Sequence, residues 1–320
     1  MIKTPTQLKA LVKNQVQSDS NKAQLWFRNY AMERLLERIS LSEYRDNFIL
    51  KGGMLVSSLV GLSSRATMDI DTTVRNLPLD EVTLRWILLK ICEIELDDNM
   101  RFEIKDVSEI MEEADYPGIR VSMNAYLSTM RIPLKVDVST GDVITPAEVT
   151  YHYKMMFEDR YITLRAYNLE TVLAEKMETL LTRGALNTRM RDFYDMYILQ
   201  NSGLEIDDET LYCALIATSG KRGRSHVLSS FRGIEAEVCG SPVMKALWKN
   251  FQNKYDYARG LDWDTVSRSA FALCERCLEL EQDVKAYDKA MATFKKDPVT
   301  YTHGEVCKEL DLDNNYVLKM

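Results

Sequence analysis

The residues best suited to chemistry crowd one short run, KGGMLVSSLVGLSSRATMDID, from Lys51 to Asp71. Asp69 and Asp71 stand one residue apart in MDIDTTV. A strand sends alternate side chains to the same face, so the two carboxylates converge while Met68, Ile70 and Thr72 turn toward a core. Converging carboxylates repel each other, and a divalent cation relieves that repulsion; Mg²⁺ accepts one or two carboxylates together with water and substrate phosphates. A third carboxylate of the same kind, Asp137, lies in RIPLKVDVS, on a strand expected beside the first in the sheet. Asp69, Asp71 and Asp137 are therefore the candidate metal ligands. Three carboxylates can hold two ions, which activate an attacking hydroxyl and steady a leaving pyrophosphate.

Such chemistry also needs a grip on phosphate. Gly52 and Gly53 fall where a short apolar strand (48–50) runs into a helix (54–60), so the backbone can approach a triphosphate at a helix N-terminus. Ser57 and Ser58 are further candidate donors. Taken singly, a Gly-Gly turn is commonly structural and a lone DxD is commonly a solvated strand end; the combination is what points to a site. Two other phosphate or metal devices are excluded. A calcium loop from Asp69 would need glycine where Val74 stands and glutamate where Asp80 stands, DLDNN near the C-terminus has too few residues after it, and no GxxxxGK[ST] occurs.

The elements that must position these residues follow from periodicity. Thr4 to Ser40 reads as two helices, Asp80 to Asp97 as a helix carrying Val82, Trp86, Leu89 and Ile94 on its inner side, and 102–104, 119–127 and 132–138 as strands. Beyond about Thr163 the pattern is helical: 169–182, 190–200, 207–217, 242–257 and 263–294. The expected fold is α+β, a mixed sheet in residues 1–165 followed by a helical domain in 166–320.

The bulk figures agree with a globular chain of 320 residues, 46% hydrophobic and 28% charged, with a net charge of −7. That charge excludes a protein coated all over with nucleic acid and confines any such contact to a local patch. The opening MIKTPTQLKALVKNQ has no apolar signal core and no apolar run is long enough to span a membrane, so a cytoplasmic protein is expected. The six cysteines are scattered apart from the Cys274/Cys277 pair, which has no second pair to complete a zinc site and reads as reduced structural thiols.

Gly-Gly, a helix, DxD on a strand and a third aspartate on a later strand together resemble DNA polymerase β-like nucleotidyltransferases. KGGMLVSSL, SRATMDID, LKVDVS, VLAEKMETLLTR and RMRDFYDMY, in this order, are similar to the AbiEii/AbiGii family, the toxins of type IV toxin–antitoxin (abortive infection) systems. The resemblance covers Lys51 to Tyr197. It implies a polymerase β-like nucleotidyltransferase core and a Mg²⁺-dependent transfer of NMP from an NTP, either GTP or a pyrimidine NTP, to an acceptor such as the tRNA 3′ end. It also implies an antiviral role that stops growth during phage infection, and an antitoxin acting without stable direct contact. Fifteen residues separate Gly53 from Asp69, a longer gap than the wider superfamily has, which the loop at Gly61–Ser64 absorbs.

Within these blocks Lys176 sits at the inner edge of a helix that buries Val172, Leu173, Met177 and Leu180, a compact cation suited to triphosphate. Asp192 and Asp195 share one helix face, and the family pattern favours Asp192 as functional. Arg65 and Thr67 match the family's RxT; Arg65 either contacts phosphate or pairs with a carboxylate. The segment Ser219 to Gly233 concentrates Lys221, Arg222, Arg224, His226 and Arg232, as a solvated loop or as an RNA-backbone patch. His152 and His303 have no constellation around them. Two alternatives keep the same residues: a kinase-like or autophosphorylating phosphotransferase that uses the γ-phosphate, and a non-catalytic nucleotide-binding module.

Overall fold

The computed structural model describes residues 1–16, 20–111, 117–224, 226–296, 298 and 300–309. The DLDNN segment and the rest of the chain from 310 onward lie outside them. In chain order the elements are α1 (Pro5–Val16), α2 (Ser20–Leu41), β1 (Phe48–Lys51), α3 (Gly52–Val60), β2 (Ile70–Val74), α4 (Glu81–Cys92), β3 (Met100–Met111), β4 (Pro117–Leu127), β5 (Met130–Thr140), β6 (Val149–Lys154) and β7 (Tyr161–Ala166). Helices follow: α5 (Leu169–Arg183), α6 (Met190–Gln200), α7 (Asp208–Lys221), α8 (Phe231–Gly240), α9 (Pro242–Lys254), α10 (Trp263–Lys296) and α11 (His303–Glu309).

The strands form one mixed sheet in the order β3-β4-β5-β2-β1-β7-β6. β2 runs parallel to β5, and β1 parallel to β7, while β1 and β2 are antiparallel. The fold is thus α+β, with a mixed sheet and helices after it. Strands give way to helices after β7 at Ala166, whereas by compactness the chain divides into Met1–Arg276 and Cys277–Met320. The sheet and the helices as far as Arg276 accordingly belong to one compact unit.

β6 and β7 are additions to the strands read from periodicity. Their hairpin alternates short buried positions (Tyr153, Ile162, Leu164, Ala166) with polar and aromatic ones, a weak signal at this length. α4 differs in orientation. It buries Leu84, Ile87, Leu88 and Ile91 and turns Val82, Trp86 and Leu89 outward, because two apolar stripes share this helix and Leu84–Leu88–Ile91 matches the sheet. Asp80 caps it by accepting a hydrogen bond from the Thr83 N–H at 2.8 Å.

α2 carries the deepest charges. Arg38 forms a two-pronged bond with Asp98, 2.9 Å on each arm, and Arg34 lies 2.7 Å from Glu37, all in the interior beside Tyr30, Leu35 and Ile39. Pairing is what allows guanidinium groups there, since an unpaired buried charge costs several kcal/mol, on the order of 3–5. Asn29 extends the same helix toward the site by donating its amide to the Thr67 carbonyl at 3.0 Å.

Candidate active site

β1 ends at Lys51, and Gly52 takes φ +60 to start α3. The turn is packed against side chains of the next strand. Gly53 N–H donates to Asp71 Oδ2 at 2.9 Å. A Cβ on Gly52 would stand 2.2 Å from that same oxygen, and one on Gly53 would stand 2.5 Å from Thr67 Oγ1 and 2.9 Å from Arg65 Nη1. The two glycines therefore make room for Asp71, Thr67 and Arg65, a closer demand than the approach of phosphate inferred from their types alone.

Strand register builds a row across the sheet face. Lys51 on β1 pairs with Asp71 on β2, Asp71 with Asp137 on β5, and Asp137 with Arg120 on β4. The charges read plus, minus, minus, plus, with Asp69 just before β2 on the same side as Asp71. Met68, expected to face the core, is instead 39% exposed, because Asp69 precedes the strand and the alternation begins only at Ile70.

The end cations have other close partners. Arg120 binds both oxygens of Asp137, at 2.8 and 2.6 Å, and Lys51 lies 2.8 Å from Asp142 Oδ2, which also accepts from Ser139 Oγ at 2.7 Å and Tyr167 OH at 2.9 Å. Those donors hold Asp142 low in spite of its burial. The middle of the row stays under-compensated: burial first, then repulsion from Asp137 and Asp69, pushes the Asp71 carboxyl up to about 6 against the Gly53 N–H and Lys51. Asp69 is raised by the same two causes, burial and the Asp137 charge.

Does this set fit a divalent ion? Among the described residues, no group of three or more His, Cys, Asp or Glu side chains is arranged to hold a metal. Three carboxylates holding two ions is thus not the arrangement present, because Arg120 occupies Asp137. Asp69 and Asp71 alone do fit Mg²⁺: hard oxygen donors, two in number, electrostatically short of positive charge, facing a cavity open to water and phosphate.

A second cluster lies beside the first. Arg65 Nε and Nη2 donate to the two oxygens of Asp195 at 2.9 and 3.1 Å, and Lys176 Nζ lies 2.6 Å from Asp192 and 2.8 Å from Asp195. Of the two roles open to Arg65, the carboxylate pair is the one formed. Burial alone would raise Asp195, yet Arg65 and Lys176 hold it down to about 2. Lys176 is raised, the two aspartates outweighing its burial. Asp195, fully enclosed on α6, ties α6 to α5 and to the chain entering β2.

Both clusters face one cavity of about 330 Å³. Gly52, Gly53, Arg65, Thr67, Asp69, Asp71, Lys176 and Asp192 line it; Asp137, Asp195 and Ser57 do not. Ser57 is buried within α3 and Ser58 bonds the Tyr151 hydroxyl at 2.9 Å, and neither serine lines the cavity as expected. Eight Lys and Arg side chains meet six Asp and Glu in the lining, a positive balance in a chain of net charge −7.

In the Ser219–Gly233 segment, three of the five basic side chains, Arg222, Arg224 and Arg232, are held by carboxylates. Arg222 and Arg224 turn inward onto the fully buried Glu178, and Arg232 binds Glu235 and Glu275. Their carboxylate partners come from α5, α8 and α10, which a reading of the segment alone does not contain.

Sequence reasoning gave no role to Lys51, Arg120, Asp142 or Glu175, all beside or in the site. Glu175 lines the cavity, and burial first, then the Asp142 charge, raises its carboxyl. Arg120 was within reach: the tight turn at Ser128 pairs Leu127 with Met130, and counting back from it sets Arg120 opposite Asp137. Asp142 meets Lys51 through the sheet order, for which no local signal exists.

The family described as nucleotidyl transferase AbiEii toxin, type IV TA system, matches residues 34–269. Among curated proteins none matches the chain. Among solved structures, JHP933 from Helicobacter pylori is similar at 13% identity and TM-score 0.44, covering 83% of this chain and 98% of that one. An antigenic nucleotidyltransferase-like protein from Paracoccidioides brasiliensis is similar at 15% identity and TM-score 0.34, covering 64% and 94%. No helix among the described residues is long and apolar enough to cross a membrane.

Proposed function

Because the chain belongs to the family of AbiEii nucleotidyl transferase toxins of type IV toxin–antitoxin systems, we propose that its cavity moves NMP from an NTP to a nucleic-acid 3′ end, with tRNA as the acceptor. The observation that carries this reading is the seating of Asp71 against the Gly52–Gly53 turn, beside Asp69 and across from a cation-rich wall.

Asp69 and Asp71 would hold Mg²⁺, which supplies positive charge to the triphosphate and to the leaving pyrophosphate. The Gly53 N–H fixes one oxygen of Asp71, a residue of the cavity lining. Arg183, Arg189 and Arg191 on the opposite wall, with Lys176, draw the triphosphate chain in. The acceptor oxygen bonds to the α-phosphorus, the bond to the bridging oxygen breaks, and pyrophosphate leaves. Asp137 accepts the hydroxyl proton once Arg120 releases it. Asp192, bound to Lys176, sets how tightly that lysine meets phosphate.

As a nucleotidyltransferase toxin the protein has a nucleotide substrate and an antitoxin counterpart, which in our reading silences it without stable contact. Its place of work is the cytoplasm, where NTP and tRNA are found, and its effect is growth arrest during phage infection. The test is to incubate purified protein with tRNA, Mg²⁺ and each NTP labelled at the α- or the γ-phosphate. Label from the α-position in RNA supports the reading and names the base, GTP or a pyrimidine NTP. Label from the γ-position in RNA or protein makes it a kinase, and tight NTP binding with no label moved makes it a binding module.

A further inference from the structure

A second hollow of about 470 Å³ opens between the start of α6 and the end of α9. It shares Arg189, Arg191 and Asp192 with the first cavity, so the two adjoin across these side chains. Its other side presents Asn250, Lys254 and Tyr255. Here Arg191 donates to the Tyr255 hydroxyl at 2.7 Å with its guanidinium 5.2 Å from the ring centre, and the Lys254 ammonium lies 5.4 Å from the same ring. Phe251, itself part of the lining, and Tyr257 pack against that ring at centroid distances of 4.7 and 5.3 Å. An aromatic held rigid, a planar guanidinium, further cations and an amide are what unstacked bases and their phosphates bind. The hollow has no glycine turn and no carboxylate pair, so it does not repeat the nucleotide site.

We infer that this groove seats the single-stranded 3′ end of the acceptor. The terminal base lies against Tyr255 and Arg191, the backbone follows Lys254 and Arg189, and the 3′-hydroxyl passes Asp192 into the cavity. The inference rests on the nucleotidyl-transfer reading and replaces the Ser219–Gly233 segment as the RNA contact.

Fluorescence anisotropy of the full chain with a fluorescein-labelled, single-stranded RNA oligonucleotide bearing a free 3′-hydroxyl tests it. Tyr255→Ala weakens RNA binding about tenfold, as loss of one base stack does. Lys254→Glu, at an exposed position whose change leaves the fold intact, weakens it as well and lowers the salt dependence by about one ion. NTP affinity is unchanged in Lys254→Glu, since Lys254 does not line the first cavity. Wild-type protein that does not bind the oligonucleotide overturns the inference; so do two variants that bind it as wild type does, which leaves the groove to a protein partner. RNA binding lost in both variants, with no α-label transferred by wild type, supports the groove while removing the proposed reaction.

Discussion

The two charged clusters of this cavity are built from the same residue types and are balanced in opposite ways. Around Asp195 every charge has its complement: two cations hold one enclosed carboxylate, and it stays ionised well below the ordinary range. Around Asp71 two or three carboxylates share a sheet face whose flanking cations are engaged by Asp142 and by Asp137, and burial lifts Asp71 to about 6. The first arrangement stabilises a fold; the second costs stability in the free protein and is relieved by a bound cation. A lack of compensation, more than the presence of carboxylates, separates the site from its scaffold.

Breaking the compensated cluster should have the largest effect on stability. Asp195→Ala leaves Arg65 buried without its counter-ion and Lys176 with Asp192 alone, and should lower unfolding free energy by about 3–5 kcal/mol in urea titration. A variant as stable as wild type would mean that the pairing is incidental.

Gly52→Ala reaches the other cluster through geometry. The added carbon meets Asp71 Oδ2, at a backbone angle that costs an L-residue about 1–2 kcal/mol. Transfer activity should fall on the order of a hundredfold, in keeping with the displacement of a positioned catalytic group by about an ångström, while thermal unfolding shifts by only a few degrees.

The acid limb of stability sharpens the contrast. The folded Asp195 value, about 2, lies below the ordinary carboxylate value of about 3.9. Its contribution is therefore present above pH of about 4 and lost as pH falls through 2, roughly 2.6 kcal/mol in all. Urea midpoints of wild type and Asp195→Asn should converge over that window; parallel curves would contradict the assignment.

Arg120→Ala should give the smallest change in stability, within about 1 kcal/mol, because the pair with Asp137 is partly open to solvent. Freed, Asp137 adds its charge to the row, and Mg²⁺ should raise the melting temperature of this variant more than that of wild type.

How far could the residues be read before the fold was known? Asp69, Asp71 and the glycine pair were legible because strand alternation and a strand-to-helix turn are local rules, and the buried face of α5 followed from helical spacing. What escaped depends on distant partners. The charge of Arg222 and Arg224 answers Glu178 on another helix, and the position of Lys51 in the row comes from β1 lying between β2 and β7. The inner face of α4 was misplaced because two apolar stripes of similar strength sit on one helix, and only the sheet beneath it chooses between them.

The most direct measurement is the rate of α-label transfer to tRNA by Asp71→Asn beside wild type, with folding followed by circular dichroism. A variant that is folded, at least as stable as wild type in the absence of metal, and unable to transfer label is the predicted result. A folded Asp71→Asn protein that transfers label at the wild-type rate would place the reaction away from the Gly52–Gly53 turn and contradict the account.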